Sequence, residues 1–400
     1  MITLTVSADD LFGLHNLPYG VYSLPGQEPR VAVRYGDHVV DLGLLLDDEE
    51  TFGQASLNTF MAQGRERWVE VRVATTAALQ GDVPTAAVHP VGAVTLHLPF
   101  EVADYVDFYA SEHHASNLGR LFRPDNPDPL TPNWKHLPIG YHGRSASIVV
   151  SGTDIERPAG QRKSPQDPLP VFGPSVRLDI EAELGFVVGT GSPMGEPVPV
   201  EQAADHIFGA VLFNDWSARD IQAWEYVPLG PNLGKSFAST VSAWVVPMLA
   251  LEAARVDTPT QDPEVLPYLA LERPWGLDID IEVEWNGHIV SRPPYAAMYW
   301  SPAQMLAHLT VNGAPTRTGD IFASGTVSGP DEGQSGAFIE LTWGGARPVD
   351  VGGSRRTFIE DGDEVVLSAT APGPEGTRIG FGEARGRILA NKSSKQEESR

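Results

Sequence analysis

The sequence predicts a mainly β protein, and three observations carry that prediction. Forty glycines and 34 prolines break 400 residues into short apolar runs, the habit of a chain with many turns between many short strands. Two stretches alternate with period two: Val176, Leu178, Ile180, Ala182, Leu184 and Phe186 against Asp179, Glu181 and Glu183, then Leu277, Ile279, Ile281, Val283 and Trp285 against Asp278, Asp280, Glu282 and Glu284. Gly36-Asp37, between two β-branched runs, and Asn286-Gly287, a type I′ turn, supply hairpin chemistry. Helices are expected to be few.

In chain order, the first hundred residues hold the Gly36-Asp37 hairpin and one helix. That helix starts at Ser56 as N-cap and runs through Leu57, Phe60, Met61, Trp68 and Val69 toward Leu79, with apolar residues mostly three, four or seven apart and Gly64 weakening its middle. Composition changes after Pro90 and Pro99, because nearly all unusual clusters of His, Tyr, Trp, Arg and acids fall downstream. A boundary is placed there, giving a first domain over 1–98 and a second over 99–390. Residues 391–400 are polar and aperiodic and read as a disordered tail.

Charge and composition exclude whole classes of function. Lys and Arg number 28 against 52 Asp and Glu, a net charge of −24, which repels phosphate backbones; no basic block marks a nucleic-acid or membrane partner. Cysteine is absent, which removes disulfides, thiol nucleophiles, zinc–thiolate sites and iron–sulfur clusters. The N-terminus has neither a basic nor an apolar signal region, and the longest uncharged stretch, Phe237 to Leu251, is broken by Ser, Thr and Pro, so a cytoplasmic protein is expected. The Gly230–Ser236 run is one residue short of a P-loop, and the glycines from Gly380 are one residue too long for a dinucleotide fingerprint. Serine-hydrolase elbows and zincin motifs do not occur. Any catalysis therefore falls to carboxylates, histidine and cationic donors.

Those residues cluster. Glu181 and Glu183, two apart on a strand, project from one face about 7 Å apart, which suits two oxygen ligands of one hard cation. The alternative is a solvated face, and the strand from Asp278 to Glu284 shows that this chain makes such faces. Asp215 and Asp107 have the same two readings, ligand or local turn and cap residue. Four of the eleven histidines, His113, His114, His136 and His142, lie within thirty residues, beside Tyr109, Arg123, Tyr141 and Arg144. A third cluster interleaves Arg219, Gln222, Tyr226 and Lys235 with Trp and Pro. Carboxylates, histidine and convergent N–H donors on separate loops are what metal-assisted hydrolysis requires.

The runs DFYASEHHASNLG, PNWKHLPIGYHGRSASIVVSGT, FNDWSARDIQAWEYVPLGPNLGKSFAS and GTVSGP, with PYGVYS and SLNTFMAQG upstream and IEDGDEVVLSA and RIGFGE downstream, resemble the fumarylacetoacetase family over nearly the whole chain. The resemblance implies a small N-terminal SH3-like β-barrel, a large mixed β-roll catalytic domain, a homodimer, and hydrolysis of a carbon–carbon bond in a small diketo dicarboxylate. It implies that Asp107, Glu181, Glu183 and Asp215 bind calcium or magnesium, that His114 is the general base, and that Glu340 orients it. Arg219, Gln222 and Lys235 become leaving-group donors, and Tyr109, Arg123, Tyr141, Tyr226 and Thr326 substrate contacts. Ser239 stands where the family leads one to expect threonine, near a second cation site. Acylpyruvate hydrolases and oxaloacetate decarboxylases, which share the β-roll core, are the second reading.

Overall fold

A computed structural model of the chain describes residues 1–392. As expected it is mainly β, and its largest sheet has thirteen strands. Along that sheet run Val88–Pro90, His38–Asp41, Arg30–Tyr35, Tyr19–Ser23, Trp244–Pro247, Ile207–Asp215, Ala182–Val188, Ile321–Ala323, Tyr105–Phe108 and Gly140–His142, with Thr95–His97, Ile148–Val150 and Ser239–Val241 pairing off this path. The N-terminal strands thus continue into the later ones, Gly20 pairing antiparallel with Trp244. No closed barrel is found among the described residues.

A second sheet of six strands carries Asp280–Trp285 and Glu364–Pro372 at its centre. One core joins Leu184 and Phe186 of the large sheet to Ile281, Val283, Trp285 and Leu367 of the small one. Another core packs Val187, Phe208 and Phe213 under Phe60 and Trp68. The large sheet is therefore covered on both faces at its middle, and this decides where its acids lie.

The hairpins form as the sequence indicates. Tyr35 pairs with His38 across Gly36-Asp37, and Asn286 and Gly287 take φ of 50° and 79°, the two positive values a type I′ turn demands. In Asp280–Trp285 the apolar residues are buried and Glu282 and Glu284 stay partly exposed. The other alternating stretch differs. It is two strands, Leu178–Asp179 and Ala182–Val188, with Val176 outside them and exposed, and its acids are as buried as its apolar residues.

The expected helix from Ser56 to Leu79 is also two, Asn58–Met61 and Arg65–Leu79. Gly64, at φ 84°, breaks it outright because that backbone value lies outside the helical region. Of the expected tail, Asn391 is buried and its amide donates to the Arg157 carbonyl at 2.7 Å, and Lys392 pairs with Glu156; 393–400 lie outside the described residues. Among the described residues no helix is long and apolar enough to cross a membrane.

Candidate active site

Sheet register gathers the acids. Ala323 pairs with Gly185 on one side and with Asp107 on the other, so Asp107 lies one strand away from the Glu183 end of its neighbour. Asp215 ends its strand beside Glu181, its N–H donating to the Glu181 carbonyl. Carboxylate oxygens of Asp107, Glu181 and Glu183 all lie within 4.8 Å of one another, and all three residues are buried. Asp215 is not in that group: its Oδ2 accepts from Lys235 Nζ at 2.9 Å and Tyr141 O–H at 3.1 Å, and its Oδ1 from Ser239 O–H at 2.8 Å.

Burial and the negative charge of Asp215 hold the Asp107 carboxyl well above the ordinary carboxylate range, and burial with Asp107 and Glu181 does the same to Glu183. Glu181 goes the other way, since Lys235 and Arg219 outweigh its burial and pull it down. Lys235 bridges Glu181 Oε2 at 2.5 Å and Asp215, and these carboxylates raise its ammonium pKa against the burial that would lower it. Asp107 Oδ1 and Glu183 Oε1 are buried with no hydrogen-bond partner among the described residues. Two orphaned carboxyl oxygens in an all-oxygen donor set fit a hard divalent cation and suit a soft metal poorly.

His114 sits in the helix Glu112–Phe122, which Ser111 caps by accepting from the His114 N–H at 3.2 Å. The imidazole is 2 % exposed, and its Nδ1 lies 2.7 Å from Glu340 Oε2. An ionised carboxylate only accepts, so Nδ1–H donates to it, and in the neutral imidazole the lone pair then sits on Nε2. Glu340 is itself held, Asn117 donating to Oε1 at 3.0 Å and the Ser328 hydroxyl to Oε2 at 3.0 Å. His113, one residue away, is half-buried and outside this network.

A cavity of about 390 Å³ opens over these groups. It is lined by every predicted site residue except Glu340, Glu183, Asp215 and Ser239. Glu340 stands behind His114; Asp215 and Ser239 face a neighbouring cavity of about 350 Å³ across Tyr141 and Lys235. Arg219 donates to Glu181 Oε1 at 2.7 Å and to Gln222 Oε1 at 3.2 Å, while its Nη2 is buried without a partner. Thr326 Oγ1 is likewise buried and unpartnered. At the mouth, Tyr226 is exposed, and Arg123 is exposed and donates to the Pro129 carbonyl at 2.8 Å.

Two family models cover the chain, Fumarylacetoacetase N-terminal over 15–99 and Fumarylacetoacetate (FAA) hydrolase C-terminal over 104–389. The chain belongs to the fumarylacetoacetate hydrolase family. Among its relatives in this family are the fumarylacetoacetases of Homo sapiens, 46% identical over 97% of this chain and 99% of that one, Caenorhabditis elegans, 46% over 96% and 98%, and Arabidopsis thaliana, 44% over 96% and 97%. A solved fumarylacetoacetate hydrolase from Exiguobacterium antarcticum, only 17% identical, superposes with a TM-score of 0.58 over 94% of this chain and all of that one, a likeness of fold.

Three polar residues that shape this family member's site were not singled out from sequence. Ser328 and Asn117 reach Glu340 over separations of 12 and 223 residues, and no local pattern marks such contacts. Asp179 was visible on the acidic face of its strand. Its signal was the same two-residue spacing that pointed to Glu181 and Glu183.

Proposed function

We propose that the chain is a fumarylacetoacetase, hydrolysing the carbon–carbon bond of 4-fumarylacetoacetate to fumarate and acetoacetate, the last step of tyrosine and phenylalanine breakdown. The observation that carries this reading is the His114–Glu340 pair, buried at 2.7 Å beside the acids, with His114 lining the same cavity as Asp107 and Glu181. A buried imidazole oriented by a carboxylate is built to take a proton from water.

Asp107, Glu181 and Glu183 would hold the cation, calcium or magnesium, with Asp215 as the fourth ligand. Lys235, with Arg219 shared between Glu181 and Asp179, does not balance these four carboxylates, and a divalent ion offsets the remaining negative charge. When bound, the ion supplies Lewis-acid polarisation of the diketone oxygens. Ser239, as part of a second cation site, belongs to the same reading.

The chain's own groups then act as follows. His114 Nε2 takes a proton from water, and Glu340 stabilises the imidazolium through Nδ1–H. The hydroxide adds to the carbonyl carbon next to the fumaryl double bond. The bond from that carbon to the methylene breaks, its electron pair passing into the acetoacetate enolate. Lys235 has one ammonium N–H left after its two carboxylates, Arg219 has Nη2, and Gln222 has its amide N–H₂; these donors stabilise the enolate oxygen. The proton held by His114 returns to the methylene carbon. Tyr109, Arg123, Tyr141, Tyr226 and Thr326 bind the rest of the substrate, Arg123 pairing with a terminal carboxylate.

The domain division at residue 98 belongs to this reading and is supported by the two family-model spans; an SH3-like barrel before it and a β-roll after it belong to the same reading. So does a cytoplasmic homodimer, for which exposed Leu169, Val171 and Phe172 offer apolar surface. Turnover in ¹⁸O-labelled water tests the chemistry. The label is expected in a carboxylate of fumarate and absent from acetoacetate; label in acetoacetate, or failure to form both products, contradicts the proposal.

A further inference from the structure

We propose that Asp179 is a positioning residue for this hydrolysis, holding Arg219 and the backbone that carries Glu340 as one unit. The inference rests on the reading just given, in which Arg219 is an enolate donor and Glu340 the partner of His114.

Asp179 is fully buried and does not line the cavity, so it touches no reacting atom. Its carboxylate accepts four hydrogen bonds. Oδ1 takes the N–H groups of Ile180 at 2.8 Å and Phe338 at 2.7 Å; Oδ2 takes the Ile339 N–H at 3.1 Å and Arg219 Nε–H at 2.8 Å. Both oxygens are thus spent on named donors, and three of those donors belong to groups that the chemistry needs in register.

The first consequence concerns Arg219. A guanidinium is planar, so anchoring Nε on Asp179 and Nη1 on Glu181 fixes its plane and leaves Nη2 as its one unpartnered corner. The second concerns Glu340, which follows Ile339 directly. Phe338 stacks on Trp285 at 4.3 Å and 8°, so this short segment is clamped between the small sheet and Asp179. The third concerns the acids, since Asp179 precedes Glu181 by two residues. One carboxylate therefore ties the leaving-group donor, the orienter of the base and the acidic strand together.

Only a carboxylate can do this. Asparagine keeps one oxygen but turns an N–H₂ toward two other donors, and a displacement of about 1 Å at a catalytic group costs about 10²-fold in rate. The test uses the metal-loaded full chain, with Asp179→Asn, Asp179→Glu, Arg219→Ala, Glu340→Gln and the Asp179→Asn/Arg219→Ala double variant. Readouts are kcat, KM, Tm and calcium affinity.

Asp179→Asn is expected to lower kcat by about 10- to 100-fold with KM changed less than about threefold. Its loss should shrink at least about threefold in the Arg219→Ala background, since the two act through one guanidinium. A kcat within about twofold of the parent, or losses that simply multiply, overturns the proposal. Asp179→Glu keeps the charge but displaces it by a methylene. If Asp179→Asn does not fold, a folded Asp179→Glu with kcat down at least about tenfold and KM held supports positioning, and a kcat within about twofold overturns it. Failure of both to fold makes Asp179 a folding residue only and also overturns it. Full activity in Arg219→Ala and Glu340→Gln defeats the underlying reading, whereas deficient Arg219→Ala and Glu340→Gln beside a fully active Asp179→Asn defeats this inference alone.

Discussion

His113 and His114 are adjacent in sequence and unlike in every physical respect. The second is buried, fixed by Glu340 through Nδ1 and stacked edge-on against Tyr109 with centroids 5.3 Å apart; the first has none of this. His114→Ala is accordingly expected to cut turnover by about 10²- to 10⁴-fold while leaving fold and ion content intact, and His113→Ala to be mild. Steady-state kinetics with metal analysis of both variants checks this, and exchanged phenotypes would contradict it. At this scale the sequence was legible where residue type restricts chemistry. Asp107, Glu181, Glu183, His114, Arg219 and Lys235 all meet at one cavity or directly behind it. It was less legible for the surroundings of Asp215, because a carboxylate's neighbours across a sheet leave no local pattern: its oxygens accept from Lys235, Tyr141 and Ser239.

Elements explain why the alternating stretches, so similar in pattern, behave differently. Asp280–Trp285 has one face toward the core and one toward solvent, and its period reads true. Ala182–Val188 is central in a sheet covered on both faces, so its acid, Glu183, lies inside. Position in the sheet is a tertiary property that periodicity does not encode. The helix bearing His114 depends on a close approach of the same kind: an ideal Cβ at Gly119 would lie 2.0 Å from the Pro129 carbonyl oxygen, which also accepts from Arg123. Gly119→Ala should therefore destabilise the protein by about 1–3 kcal/mol and raise KM, because relief requires moving the helix or the segment that steadies Arg123. Chemical denaturation with parallel kinetics measures both, and a variant of unchanged stability and KM would refute the close approach.

For the whole molecule, a net charge of −24 opposes a dianionic substrate at long range. In the proposed reading binding comes from local cations, Arg123 at the mouth and Lys235 and Arg219 within, and from whatever offsets the buried carboxylates. Asp107 is held above its ordinary range by burial and Asp215, and Glu183 by burial, Asp107 and Glu181, so positive charge beside them is favourable, and an ion bound to the folded chain alone stabilises it by about 2.7 kcal/mol at a hundred times its Kd. The most direct measurement is a calorimetric titration of calcium or magnesium into chelator-treated protein, followed by activity and Tm along the same titration. One hard divalent ion per chain is expected to bind at this site, with activity and stability returning together as it fills and both responses lost in Asp107→Asn. Full activity in chelator with no ion bound would contradict it.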